Sequence, residues 1–259
     1  MRLTPRPKRI AAKERKDRRE MAFSLCVPCV LSRQKSLQKS LQGCQIPRFR
    51  RCCPCVNEKI SNAPLDDAAR LTEAIYRFEL ANRRDPNQEM DDGAMLPREL
   101  LYARRLSAWV LKLCPDASEE LRLASHCQHI CRWGIPRNTY EMTRAGYLKW
   151  RSDLKKFHAQ KAGEILREVG YPEEVIARVQ ALNLKKNFPT DPESRVLEDA
   201  LCLVFLQFQF AELAAKTDDD KLINALQKSW KKMTPAAHAE ALKLNYGTRE
   251  KSLIAQALA

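Results

Sequence analysis

From Pro64 to the C-terminus, signals that start and stop helices follow one another at short intervals. Proline at a first helical position and Ser, Thr or Asp as a cap are typical of helix N-termini, and glycine is typical of helix C-termini. The start signals are Pro97, Asp116, Thr143, Pro172, Asp191-Pro192, Asp218 and Thr234-Pro235, and the stop signals are Gly134 and Gly170. This pattern predicts about eight helices.

One apolar run, "LCLVFLQFQF" from Leu201 to Phe210, could form a strand if it stood alone. Its apolar positions continue a helical spacing that begins at Val196, so we predict a buried helix. The sequence has no P-loop, no Gly-rich strand-to-helix turn and no Gly-x-Ser-x-Gly, which argues against nucleotide-binding and hydrolase α/β folds. We therefore predict an all-α helical bundle over residues 63–246, followed by a C-terminal tail over residues 247–259.

The basic charge of the chain is concentrated at its N-terminus. Residues 1–60 contain 16 Lys and Arg against 4 Asp and Glu, whereas residues 61–259 contain 30 against 28. Residues 21–57 contain no acidic residue and several serines, a composition that is typical of a transit peptide. Met21 is an alternative start. A short apolar run behind the basic leader also permits a secretory or bipartite signal. We predict a basic, Cys-rich targeting or disordered segment over residues 1–62, with an organellar location, chloroplast or mitochondrion, if it is genuine and a cytoplasmic one otherwise.

Cysteine spacing offers another interpretation of the same segment. The pairs Cys26-x2-Cys29 and Cys52-x2-Cys55 have nearly the spacing of a zinc site with four thiolates. Six of the ten cysteines lie in this segment, and the remaining four lie among apolar residues, so without a disulfide framework we expect a reducing compartment. The near-neutral charge after residue 60 argues against a nucleic-acid partner, and no apolar run reaches the roughly 18 residues that span a bilayer.

Two of the four histidines, His126 and His129, lie three residues apart in "ASHCQHICRW", within the helix predicted to end at Gly134. Residues three apart share a helix face, and Arg132 continues nearly the same face. Histidines among apolar residues are more often hydrogen-bonded core residues than ligands, so a structural role is the alternative.

Further polar residues interrupt the next helices. His158 and Lys161 repeat the three-residue spacing, and the pair Glu198 and Asp199 lies in an otherwise apolar helix. A buried carboxylate must be paired or coordinated. If the helices that contain His129, His158 and Glu198 converge, their imidazoles and carboxylates can hold a divalent metal. Arg132 and Lys161 can then hold an anion.

The segments "CQHICRWGIPRNTYEMTRAGYLKW" and "LEDALCLVFLQFQF" resemble the family called domain of unknown function 4202, over about residues 66–244. The order of His129, His158 and Asp199 is also similar to that in HD-domain metal-dependent phosphohydrolases, although Gln128-His129 stands where that family has an adjacent His-Asp pair. In such enzymes a metal-bound water attacks a phosphate.

The HD resemblance implies an HD-like bundle that holds a divalent metal. The resemblance makes His129, His158 and Asp199 metal ligands and catalytic residues. His126, which has no counterpart in that family, is a further predicted metal ligand, and the helix positions described above predict Arg132, Lys161 and Glu198 as ligand-binding residues. The expected function is a metal-dependent phosphohydrolase or a binder of a phosphorylated small molecule.

Two other functions are alternatives to a phosphohydrolase or phosphate binder. A non-catalytic helical module that docks a protein or RNA partner is the alternative to the phosphohydrolase or binder. We do not expect a glutamyl-tRNA synthetase, because "HICR" lacks the second His and "KMTPA" the second Lys of the synthetase motifs.

Overall fold

The structure is a computed structural model that describes residues 66–259. The helices of this part of the chain are α1 (Asp67–Asn82), α2 (Arg98–Leu113), α3 (Glu119–Cys127), α4 (Arg144–Val169), α5 (Glu173–Leu184), α6 (Pro192–Val204), α7 (Phe210–Ala214), α8 (Asp219–Trp230), α9 (Pro235–Ala241) and α10 (Thr248–Leu258). The predicted all-α bundle is confirmed. The targeting segment, residues 1–62, and its cysteine pairs lie outside the described residues and stay predictions.

Several helices begin where the sequence supplies a cap. The side chains of Thr143, Asp191 and Thr234 each accept a hydrogen bond from a backbone N–H in the first turn of α4, α6 and α9. Gly170 ends α4 in the left-handed conformation at φ 91°. These boundaries agree with the prediction because caps are local signals.

The polar segment between α1 and α2, predicted as an exposed connection, forms a β-hairpin instead. Strand β1 (Gln88–Asp91) pairs antiparallel with β2 (Ala94–Pro97). Asp92 and Gly93 both have positive φ, at 45° and 80°, which a two-residue hairpin turn requires and Asp-Gly favours. Apolar and polar residues do not alternate along these strands, so Asp92-Gly93 was the only sequence signal for the hairpin.

Helix α3 differs from its prediction at both ends. Ser118 caps it rather than Asp116, since Ser118 Oγ accepts the Leu121 N–H at 3.1 Å. The helix ends at Cys127, well before Gly134, and the chain continues into a loop in which Cys131 has φ 52°. His126 therefore lies in the helix, whereas His129 and Arg132 lie in the loop after it, and the predicted shared helix face is wrong.

The apolar run after α6 is helical, as predicted, but it contains one π-helical turn, Phe205–Gln209. The Trp109 indole N–H of α2 donates to Gln207 Oε1 at 2.8 Å and ties this turn to the bundle. Single π-helical turns widen a helix and are frequent at functional sites. Here Phe205, Phe208 and Gln209 face the cavity described below.

The core forms around α3, which packs against α1, α2 and α5, while α4 lies along α5 and α2 along α6. Leu121, Leu123 and Cys127 of α3 are fully buried. The segment 247–259, predicted as a tail, contains α10, which packs on α8 and buries Leu253. In residues 66–259 none of the helices has both the length and the apolar character needed to cross a membrane. Since α3 is central, the loop that follows it emerges among α2, α4 and α6.

Candidate functional site

A cavity of about 850 Å³ lies where this loop meets α2, α4, α6, the π-helical turn and the end of α8. Basic side chains outnumber acidic ones in its lining. The cations are Arg98, Arg105, Arg132, Arg137, Arg151, Lys155, Lys185, Lys228, Lys231 and Lys232, and the carboxylates are Glu89, Glu99, Glu198 and Glu212. An excess of one charge sign in a concave site attracts ligands of the opposite sign.

In the lining, Glu99 from the first turn of α2 lies beside His129 and Arg132. Glu99 Oε2 is 3.5 Å from His129 Nδ1, and Glu99 Oε1 is 3.9 Å from Arg132 Nε. Arg132 Nη1 is 3.4 Å from His129 Nε2. The Tyr102 ring stacks on the imidazole with centroids 4.2 Å apart. The imidazole is therefore held between a carboxylate and a guanidinium, with one face covered.

Burial raises the pKa of Glu99 to about 7, although Arg132 and Arg98 oppose the shift. Its Oε2 is buried and makes no hydrogen bond with the described residues. A carboxyl group with this pKa exchanges a proton near neutral pH, as groups in acid–base sites do.

A buried asparagine, Asn82 of α1, connects Glu99 with the loop that contains His129. The Asn82 side-chain N–H donates to the Glu99 backbone carbonyl at 3.4 Å, and its Oδ1 accepts the Cys131 N–H at 3.0 Å. The Glu99 N–H in turn donates to Asp85 Oδ2 at 3.0 Å. Asn82 thereby fixes both α2 and the loop, and so sets the distance between Glu99 and His129.

His158 of α4 lies behind the loop, with its ring centroid 5.8 Å from that of His129. His158 Nδ1 lies 2.8 Å from the Ile130 carbonyl oxygen, which can only accept, so Nδ1 carries the proton. Burial, together with His129 and Arg132, holds the pKa of His158 well below its usual range. His158 is thus a neutral support of the loop rather than part of the cavity lining.

A second cluster in the lining is centred on Glu198 of α6, which is surrounded by cations. It pairs with Lys185, and Lys232 Nζ lies 3.6 Å from its Oε1. Burial alone would raise the pKa of Glu198, but Lys185, Lys232 and Arg151 outweigh it and lower the pKa. One ionised carboxylate therefore faces several cations, and the cluster keeps a net positive charge.

Three other residues predicted for the site lie outside the cavity lining. Asp199 accepts hydrogen bonds from the Thr234 N–H at 2.9 Å and the Thr234 hydroxyl at 2.6 Å, at the start of α9. His126 lies within α3, where burial lowers its pKa to about 4. Lys161 Nζ pairs with Glu164 on the same helix at 3.1 Å. Of the predicted residues, the lining contains His129, Arg132 and Glu198.

These positions bear on the predicted metal. In the part of the chain from 66 to 259, no three or more His, Cys, Asp or Glu side chains are grouped as ligands of one ion. Thr234 donates to both Asp199 oxygens, and His158 donates its Nδ1–H to the Ile130 carbonyl, which leaves its buried Nε2 without a hydrogen bond among the described residues. The divalent metal and its four ligands stay a prediction.

Glu99 was absent from the predicted site. It follows Pro97 in the first turn of a helix, where carboxylates are common, so its surroundings in the sequence gave no signal. The basic lining was missed as well, because its members come from five separate segments of the chain.

The comparisons with curated proteins and with solved structures return no match for this chain. The comparison with protein families does. The model described as Domain of unknown function (DUF4202) matches residues 72–254, which include α2 to α9 and all of the cavity lining. Since that match spans more than half of the chain, the protein belongs to the DUF4202 family.

Proposed function

We propose that the protein binds a phosphorylated small molecule in the cavity between the α3–α4 loop and α6. The observation that carries the proposal is the excess of Arg and Lys over Glu in the lining. Phosphate oxygens form charge-assisted hydrogen bonds with both side chains, and Arg can bind two of them at once. Small-molecule sites have volumes of roughly 300–1,000 Å³, and this cavity, at about 850 Å³, falls within that range.

The lining offers groups for different parts of such a ligand. Lys185 and Lys232, gathered around Glu198, offer ammonium groups to a phosphate. Phe205 and Phe208 of the π-helical turn add apolar surface to the lining, which suits the carbon portion of the ligand. Arg132 is a further cation of the lining and suits a second anionic group.

Hydrolysis of the bound phosphate at a divalent metal, as the HD resemblance implies, is a separate step beyond binding. Binding of the phosphate does not require this hydrolysis. A helical module that docks a protein or RNA partner is the rival, and it predicts no affinity for a small phosphate in the cavity.

Calorimetric titration with pyrophosphate tests the proposal. We expect pyrophosphate to bind the wild-type protein and to bind Lys185→Gln about ten- to hundredfold more weakly, because a hydrogen bond to a charged group contributes about 1.5–3 kcal/mol. Lys186→Gln is the matched control, since Lys186 is adjacent, exposed and outside the cavity lining.

Equal affinities of the two variants would contradict the proposed site. Failure of pyrophosphate to bind the wild-type protein would contradict the proposed function itself.

A further inference from the structure

We propose that the phosphorylated ligand carries a planar aromatic ring and that this ring stacks on the indole of Trp133. This inference rests on the proposed function, because it requires a phosphate in the cavity. It deepens that function by naming the chemical class of the carbon portion, an aromatic ring joined to the phosphate as in a nucleoside monophosphate. It also assigns the ring to one side chain of the lining.

The first argument is that Trp133 lines the cavity without belonging to the apolar core. The chain has four tryptophans, and tryptophan is on average a highly buried residue. Trp109 and Trp150 are buried, and Trp230 packs against the core. Trp133 is only partly buried, and it takes no part in the core that residues 66–259 form. Since core packing does not account for this large ring, its surface is left for a ligand.

The second argument is that other aromatic rings of the lining already have partners. The Arg105 guanidinium lies over the Phe208 ring, 4.0 Å from its centroid. The Arg132 guanidinium lies over the Trp150 ring at 5.1 Å. Within the described part of the chain, neither an aromatic ring nor a cation covers the Trp133 indole in this way. A ligand ring can therefore stack on Trp133 without displacing a side chain.

The third argument is that Trp133 lies next to a cation of the lining on a well-defined turn. It is the central residue of the 3-10 turn Arg132–Gly134, in which the Gly134 N–H donates to the Cys131 carbonyl at 2.9 Å. Arg132 and Trp133 both line the cavity, and the Cα atoms of successive residues are about 3.8 Å apart. One small molecule can therefore place a phosphate at the guanidinium and a ring on the indole.

The choice of an aromatic ring follows from how indoles bind. The faces and edges of aromatic rings carry opposite partial charges, so two rings attract each other when they are stacked with an offset. A rigid planar group also loses less conformational entropy on binding than a flexible chain does. Stacking of one base on an aromatic side chain contributes about five- to 150-fold in affinity.

Calorimetric titration of the full-length protein with AMP and with ribose 5-phosphate tests the inference, because the two ligands share the sugar phosphate and only AMP carries a ring. We expect the wild-type protein to bind AMP at least about fivefold more tightly. In Trp133→Leu the AMP affinity should fall to about that of ribose 5-phosphate, whose own affinity should change less than about twofold. Trp133→Phe keeps an aromatic ring and should retain a preference for AMP.

Tyr76→Leu is the matched control, because it removes an exposed aromatic side chain outside the cavity lining, and it should bind both ligands like the wild type. A wild-type protein that binds pyrophosphate but binds AMP no better than ribose 5-phosphate would overturn the inference and leave the proposed function intact. That comparison holds even if a variant folds poorly. A preference for AMP that persists in Trp133→Leu would overturn the assignment to Trp133. A protein that does not bind pyrophosphate would overturn both the inference and the proposed function.

Discussion

Replacing Glu99 with glutamine should change how the free energy of unfolding depends on pH. Burial raises the pKa of this carboxyl group from its ordinary value of 4.5 to about 7 in the folded protein. Below pH 4.5 the group is protonated in both the folded and the unfolded chain, so its burial does not favour unfolding. As the pH rises from 4.5 to about 7, the unfolded chain has lost the proton that the folded chain still binds, so stability is lost across this range and levels off above it.

The size of the effect follows from the pKa difference. One pKa unit corresponds to about 1.4 kcal/mol, so a rise from 4.5 to about 7 corresponds to about 3 kcal/mol once the group is fully ionised. Part of that loss has occurred by pH 5. Since glutamine does not titrate, Glu99→Gln should gain about 2 to 3 kcal/mol relative to the wild type between pH 5 and pH 8.

Urea denaturation at pH 5 and pH 8, in buffers without phosphate, measures this difference. Comparing variant with wild type at each pH removes the titration of groups that lie away from Glu99. Glu212→Gln is the control, because it makes the same change at an exposed position of α7. If the difference between Glu99→Gln and wild type is the same at both pH values, the reasoning from burial is wrong.

Three further predictions follow from the described contacts. Asn82→Ala should lower the free energy of unfolding by about 1 to 3 kcal/mol in urea denaturation, because it leaves the partly buried Cys131 N–H without its partner; a loss below about 0.5 kcal/mol would contradict that role. Asp199→Ala should cost about 1 to 2 kcal/mol by removing the hydrogen bonds to Thr234, while pyrophosphate affinity in calorimetry stays within about twofold; a large loss of affinity would instead return Asp199 to the site. Added sodium chloride should weaken pyrophosphate binding in calorimetry, since salt screens the cationic lining, and an affinity independent of salt would argue against charge as its source.

Helix boundaries could be predicted where the signal is local. Thr143, Asp191 and Thr234 cap the helices that the sequence assigned to them, because a cap acts on the turn that follows it. The end of α3 could not be predicted in this way. The helix ends at Cys127, and in the loop after it the Cys131 N–H donates to Asn82, which lies 49 positions earlier in the chain. Such a contact between distant residues produces no spacing pattern in the sequence.

The candidate site was predicted in part for the same reason. His129 and Glu198 stood out because each is a polar residue among apolar ones, and both line the cavity. Asp199 stood out equally, yet it caps α9, because the sequence does not show which neighbour satisfies a buried carboxylate. Lys185 and Lys232 looked like ordinary solvated charges, and only the packing of α5, α6 and α8 brings them together around Glu198.

The central claim is that the cationic cavity holds a phosphate, and a crystal structure of the protein grown with pyrophosphate tests it most directly. We predict pyrophosphate in the cavity, with oxygens about 3 Å from the Arg132 guanidinium or from the ammonium groups of Lys185 and Lys232. Pyrophosphate bound only on another face, or a cavity filled by water in crystals whose protein binds pyrophosphate in solution, would contradict the claim.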